Sequence, residues 1–141
     1  MEDNSLEIID LELATLIRRV TSANRKIGHL DRSAYLLLHR IISDGPAGVK
    51  TLAEEFHLDI STISRQAAAL EQKGYVYRIP DPSDGRAYSL EITQLGTKEF
   101  KEHQQMRFAL IQENLKEWSM EEQKLFGDLL RKYNQSASIR K

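Results

Sequence analysis

Residues 59–74 read Asp59-Ile60-Ser61-Thr62-Ile63-Ser64-Arg65-Gln66-Ala67-Ala68-Ala69-Leu70-Glu71-Gln72-Lys73-Gly74, and they divide by side. Ile63, Ala67 and Leu70 recur at helical spacing and make one apolar stripe. Asp59 is a capping residue type and Gly74 a natural stop, so the pattern predicts a helix from Ile60 to about Lys73. Ser61, Thr62, Ser64, Arg65 and Gln66 gather at its amino-terminal, outward end. Short hydroxyls and an amide at a helix start can approach phosphates and base edges, helped by the helix dipole. An arginine there has the fork geometry that bonds guanine O6 and N7 together. Taken alone, the same pattern also describes an ordinary polar face with a capped start.

The neighbours on either side decide between these. Upstream, Thr51 to Phe56 forms a short helix presenting Leu52, Ala53 and Phe56. A short turn separates it from the next helix, which is the layout of a helix-turn-helix with a bracing helix first. Lys50 and Thr51 at the start of the bracing helix join the candidate nucleic-acid contacts. Downstream, Tyr75-Val76-Tyr77-Arg78-Ile79 is β-prone and is expected to end at Pro80. Asp81-Pro82-Ser83-Asp84-Gly85 is turn chemistry, and Ala87 to Ile92 alternates as a returning strand should. The hairpin's tip, Asp84-Gly85-Arg86-Ala87, carries a cation that suits a narrow minor groove, and Arg78 stands near the base. Asp84 is placed to orient Arg86 or to pair with Arg78. An isolated turn of this kind is a solvated loop whose ion pair is worth about 0–1 kcal/mol; directly after a helix-turn-helix it reads as a wing. Tyr75 and Tyr77 are expected to pack beneath it.

All three prolines and five of the seven glycines lie between Asp44 and Gly96, and the flanks are helical. From Ser5 to about Arg25, Leu6, Ile9, Leu13, Leu16, Ile17 and Val20 form a stripe, with Gly28 and His29 as a ragged end. Asp31 caps a helix through Tyr35, Leu38 and Ile41, closed by Asp44-Gly45-Pro46. A long helix is expected from near Thr93 to about Trp118, with Phe108, Ile111, Leu115 and Trp118 on one face. Ser119 and Glu122 make a capping box for a last helix bearing Leu125, Phe126, Leu129, Leu130 and Tyr133; Ser136 to Lys141 should fray. The terminal stripes hold more apolar surface than a small monomer easily covers, which points to a homodimer. An intramolecular core is the alternative.

Bulk properties limit the function classes. The 141 residues suit one domain, 40% apolar and 29% charged. Net charge is −1, and residues 31–93, which hold the helix-turn-helix, carry 7 basic against 9 acidic groups. Nucleic-acid binding therefore has to rest on where particular side chains project. The absence of cysteine excludes disulfides and thiolate chemistry. The acidic start and the lack of a long apolar run give the expectation of a cytoplasmic protein without membrane contact. His29, His39, His57 and His103 are scattered, so no metal site is expected. No phosphate loop, nucleophile with a placed base or HExxH pair occurs, so neither an enzyme nor a cofactor is expected.

The run from Val49 to Thr93 resembles the MarR family of bacterial regulators. The matching pieces are Leu52-Ala53-Glu54, Ser61-Thr62-Ile63-Ser64-Arg65, Leu70-Glu71-Gln72-Lys73-Gly74-Tyr75-Val76, Arg78, Asp84-Gly85-Arg86 and Leu90-Glu91-Ile92-Thr93. The Asp-x-Arg wing after a Lys-Gly helix end is the most specific of them. The resemblance implies a mainly α fold with a small β-wing, a winged helix-turn-helix whose terminal helices intertwine in a homodimer. Residues 1–30 and 96–141 would then dimerise. Residues 31–95 would bind double-stranded DNA, with the helix-turn-helix at about 49–73 and the wing at about 75–92. The implied function is a sequence-specific regulator, typically a repressor on a palindromic operator, released by a small-molecule effector. Its candidate DNA contacts are Lys50, Thr51, Ser61, Thr62, Ser64, Arg65, Gln66, Arg78, Asp84 and Arg86; Tyr35, His39 and Phe100 are candidates for the effector pocket. The missing cysteine departs from peroxide-sensing members, and the scattered histidines from zinc-sensing ones. The slightly acidic head keeps one alternative open, a winged-helix module that works through protein contacts.

Overall fold

The computed structural model describes residues 3–23 and 30–138. In chain order it contains α1 (Ser5–Ala23), α2 (Arg32–Asp44), β1 (Ala47–Gly48), α3 (Val49–Phe56), α4 (Ile60–Gln72), β2 (Val76–Asp81), β3 (Asp84–Ile92), α5 (Gln94–Asn114) and α6 (Met120–Ser138). The fold is mainly helical with one small antiparallel sheet of order β1-β3-β2. The expected end of the first helix near Arg25, with Gly28 and His29 beyond it, lies outside the described residues.

Local chemistry explains most boundaries. Asp31 accepts the Ala34 N–H at 2.8 Å and starts α2, and Gly45 at φ 89° stops it. Asp59 takes the cap position of α4 with extended backbone but makes no side-chain capping bond; its carbonyl accepts the Ile63 N–H at 3.1 Å instead. Gly74 follows the helix at φ 82°, the left-handed conformation anticipated for it. Before α6 the capping box forms in full: the Ser119 hydroxyl accepts the Glu122 N–H at 3.1 Å, and the Glu122 carboxylate accepts the Ser119 N–H at 2.9 Å.

Several boundaries differ from the sequence reading, and one strand is additional. The bracing helix begins at Val49, earlier than Thr51, because Gly48 is extended and serves as its cap. The two-residue β1 is too short to leave an alternation pattern; it pairs with β3 through Ala47–Leu90 and Gly48–Ser89. Strand β2 does not stop before Pro80 but runs on to Asp81, which an edge strand permits because one side needs no ladder donor. The long helix ends at Asn114, short of Trp118, since residues 115–118 close a turn in which the Trp118 N–H reaches the Leu115 carbonyl at 2.9 Å.

The core gathers around the reading head. Leu37, Leu38 and Ile41 of α2 pack with Leu52 of α3, Ile63, Ala67 and Leu70 of α4, Val76, Leu90 and Phe100. Helices α1 and α6 lie outside this core. Their apolar residues, including Leu6, Ile9, Ile17, Phe126, Leu129 and Leu130, are exposed in the single chain. No helix among the described residues is long and apolar enough to cross a membrane.

Candidate nucleic-acid interface

Burying Ile63, Ala67 and Leu70 turns the opposite side of α4 outward. Ser61 and Arg65 are exposed there, and Thr62, Ser64 and Gln66 are half-buried beside them. The Arg65 guanidinium lies 3.4 Å from the Thr62 hydroxyl, a loose contact that leaves the fork facing solvent. Lys50 and Thr51 are exposed in the first turn of α3. The ten candidate contacts thus fall on three neighbouring elements: the start of α3, the outer face of α4 and the hairpin.

The hairpin corrects three details. Its turn is only Pro82-Ser83, fixed by Asp81, whose carboxylate accepts from the Ser83 N–H at 2.9 Å and the Ser83 hydroxyl at 2.8 Å. Those bonds hold the Asp81 carboxyl below the usual carboxylate range. Register then slips between Pro80, opposite Tyr88, and Asp81, opposite Asp84. Gly85, Arg86 and Ala87 are the surplus residues of this bulge, which is how a strand re-aims a side chain. Asp84 accepts the Arg86 backbone N–H at 3.0 Å, so it shapes the bulge, and it does not pair with Arg78. Arg78 bonds Glu71 at 3.0 Å. Tyr75 is buried under the hairpin as anticipated, but Tyr77 is 48% exposed. Tyr77 stands opposite Glu91, on the sheet face away from buried Val76 and Leu90.

The same bonds explain how a head with surplus acid can bind a polyanion. Asp31 caps α2, Asp44 and Glu55 face Arg40, Glu71 faces Arg78, and Asp81 and Asp84 shape the wing. Among the described residues, Lys50, Arg65 and Arg86 enter no ion pair. Six of the nine acids in residues 31–93 are held in these bonds, while Lys50, Arg65 and Arg86 are exposed.

A second cluster lies between α2 and α5. Tyr35 stacks on Phe100 with centroids 4.9 Å apart, and His39 lies 5.9 Å from the same ring. The three residues proposed from the sequence are therefore neighbours. Sequence reading missed two more members. The Arg107 guanidinium sits 4.6 Å over the Tyr35 ring, and His103 lies 5.2 Å from it, 4% exposed, with no hydrogen-bond partner for Nδ1 among the described residues. Burial, and then the nearby Arg107, push the His103 pKa down. The clue was their spacing, since Phe100, His103 and Arg107 recur at three and four along α5. A separate open groove of about 250 Å³ runs between α2 and α4, lined by Asp31, Ala34, Thr62, Arg65, Gln66 and Lys73.

The family model for the MarR family matches residues 30–88, the span from the start of α2 into β3. The HTH-type transcriptional regulator YxaD of Bacillus subtilis (strain 168) is 49% identical over 136 residues, covering 94% of this chain and 95% of that protein. The chain belongs to the MarR family.

MarR-family architecture accounts for the whole described fold. A MarR family protein from Bacillus stearothermophilus superposes with a TM-score of 0.79 over 98% of this chain and 99% of its own, at 20% identity, a likeness of fold. The PcaV transcriptional regulator from Streptomyces coelicolor, solved in complex with its natural ligand, gives 0.68 at 25% identity over 86% of this chain and 91% of that one. This MarR-family chain is a helix-turn-helix transcriptional regulator with a winged helix.

Proposed function

We propose that this MarR-family regulator binds a palindromic operator as a homodimer, represses from it, and is released by a small-molecule effector. The observation that carries the reading is the placement on one head of two cations that enter no ion pair among the described residues, Arg65 on the outer face of α4 and Arg86 in the bulge of the wing. Arg65 faces the major groove with Ser61, Thr62, Ser64 and Gln66 beside it; Arg86 enters the minor groove. Lys50 and Thr51 meet the backbone. Asp84 serves indirectly, by holding the Arg86 backbone.

Dimerisation through residues 1–30 and 96–141 is supported by the apolar stripes of α1 and α6, most of whose described residues are exposed in the single chain. An effector seated at Tyr35, His39 and Phe100 would lie between α2, which belongs to the reading head, and α5, which leads to the dimerising end. PcaV, a relative in fold, holds its natural ligand in the crystal. Such a ligand shifts the spacing of the two heads only through different affinities for two conformations.

The test is a titration of duplex DNA from upstream of the protein's own gene against a shuffled duplex, over a range of salt. The expected result is a preference for the upstream DNA and an affinity falling steeply with salt. Arg86→Ala weakens both duplexes, while Arg65→Ala also narrows the preference. Equal binding to both duplexes at low salt refutes the reading.

A further inference from the structure

Arg78 is a natural candidate for a phosphate contact, but its surroundings give it another task. Strand alternation puts Arg78 on the face of the hairpin shared by Val76 and, opposite them, Leu90 and Ile92. That face looks back at the body, and Val76 and Leu90 are buried there. From it the Arg78 side chain reaches Glu71, in the last turn of α4, with Nε 3.0 Å from the carboxylate. The same guanidinium lies 4.3 Å above the ring of Tyr88 on β3. Tyr88 is the last paired residue before the bulge that carries Arg86. One planar cation is thus held between the end of the recognition helix and the root of the wing's reading segment. Lysine, lacking the flat delocalised fork, could not fill both roles equally.

We propose that Arg78 is a positioning residue: it clamps the wing to the recognition helix through Glu71 and Tyr88 and so sets where Arg86 meets the DNA. The inference rests on the DNA-binding function proposed above. A phosphate contact and a clamp respond oppositely to loss of Glu71. Removing that carboxylate would release Arg78 for a phosphate and tighten binding; in a clamp it loosens the wing and weakens binding.

The experiment compares wild type, Arg78→Ala, Glu71→Gln, Arg86→Ala and the Arg78→Ala/Arg86→Ala double variant on the upstream duplex over a range of salt. Arg78→Ala and Glu71→Gln are each expected to weaken binding about two- to tenfold. The salt slope of Arg78→Ala should fall no further than that of Arg86→Ala, and Arg78→Ala should add less than about twofold, with no further change of slope, once Arg86 is gone. A slope lower by about 1 on losing Arg78 in the Arg86→Ala background, or tighter binding by Glu71→Gln, overturns the clamp. Amide relaxation in the DNA-free protein provides an independent readout. Gly85 and Arg86 should gain fast motion in Arg78→Ala, and unchanged order there also overturns the clamp. If wild type itself shows no duplex preference, the operator reading fails while the relaxation result still decides the role of Arg78.

Discussion

Thr93 donates its hydroxyl to the carbonyl oxygen of Gly74 at 2.6 Å and accepts the Gly96 N–H at 2.9 Å. One side chain therefore fastens the end of the recognition helix to the first turn of α5, and the Thr93 N–H adds a bond to the Tyr75 carbonyl at 2.9 Å. Thr93→Val keeps the shape but leaves α5 without its cap. It should lower stability by about 1–2 kcal/mol in chemical denaturation, with Thr93→Ser recovering most of the loss.

Gly96 sits where that turn crosses the hairpin. A Cβ placed on it would collide with the Tyr75 carbonyl and stand 2.9 Å from Ile92 Cγ1. Backbone on one side leaves little room to yield. Although alanine favours helix over glycine by up to about 1 kcal/mol, Gly96→Ala should still lower stability by about 1–3 kcal/mol. Gly127→Ala on α6, where nothing lies within 4 Å, serves as the control and should not destabilise.

His103 gives the fold an acid limit. Burial holds its native pKa below the ordinary value of about 6.5, so the unfolded chain takes up a proton first as pH falls. The stability associated with neutral His103 is complete above about pH 6.5 and is lost as pH drops from there toward the native pKa. His103→Phe should flatten this part of the stability profile, measured by denaturation between about pH 7 and 5.

Arg40 links α2 to the bracing helix. It reaches the Glu55 carboxylate through Nε at 2.5 Å and Nη2 at 3.2 Å, and donates to the Gly45 carbonyl at 3.1 Å. The hydrogen bonds from Arg40, more than its charge, pull the Glu55 pKa down. That contribution is present above the ordinary glutamate value of about 4.3 and lost as pH falls below it. Glu55 is 44% exposed, so screening keeps the effect small, and Glu55→Gln should cost about 1 kcal/mol at neutral pH and little at acid pH.

The reading head was legible because its signals are local. Ile63, Ala67 and Leu70 recur within one helix, Gly74 marks its end, and Asp84-Gly85-Arg86 announces the wing. What escaped depends on contacts between distant segments. Nothing near Arg78 in the chain says that Glu71 will take it rather than Asp84. The bulge that frees Arg86 arises from a register slip, and β1 exists only because β3 passes beside it. His103 looked like one more scattered histidine until α5 placed it against Tyr35. The Tyr35, His39 and Phe100 grouping came with the family resemblance, since neither His39 nor Phe100 belongs to the stripe read on its helix, and the Phe108–Ile111 face assigned to α5 is exposed.

Hydroxyl-radical footprinting of the upstream DNA, with wild type and Arg65→Ala in parallel, tests the central claim that two identical heads read one site. The expected pattern is a pair of symmetry-related protected patches about 34 Å, one helical turn, apart. Both patches should fade together in the variant. Uniform protection along the fragment, or a single patch that survives Arg65→Ala, would contradict it.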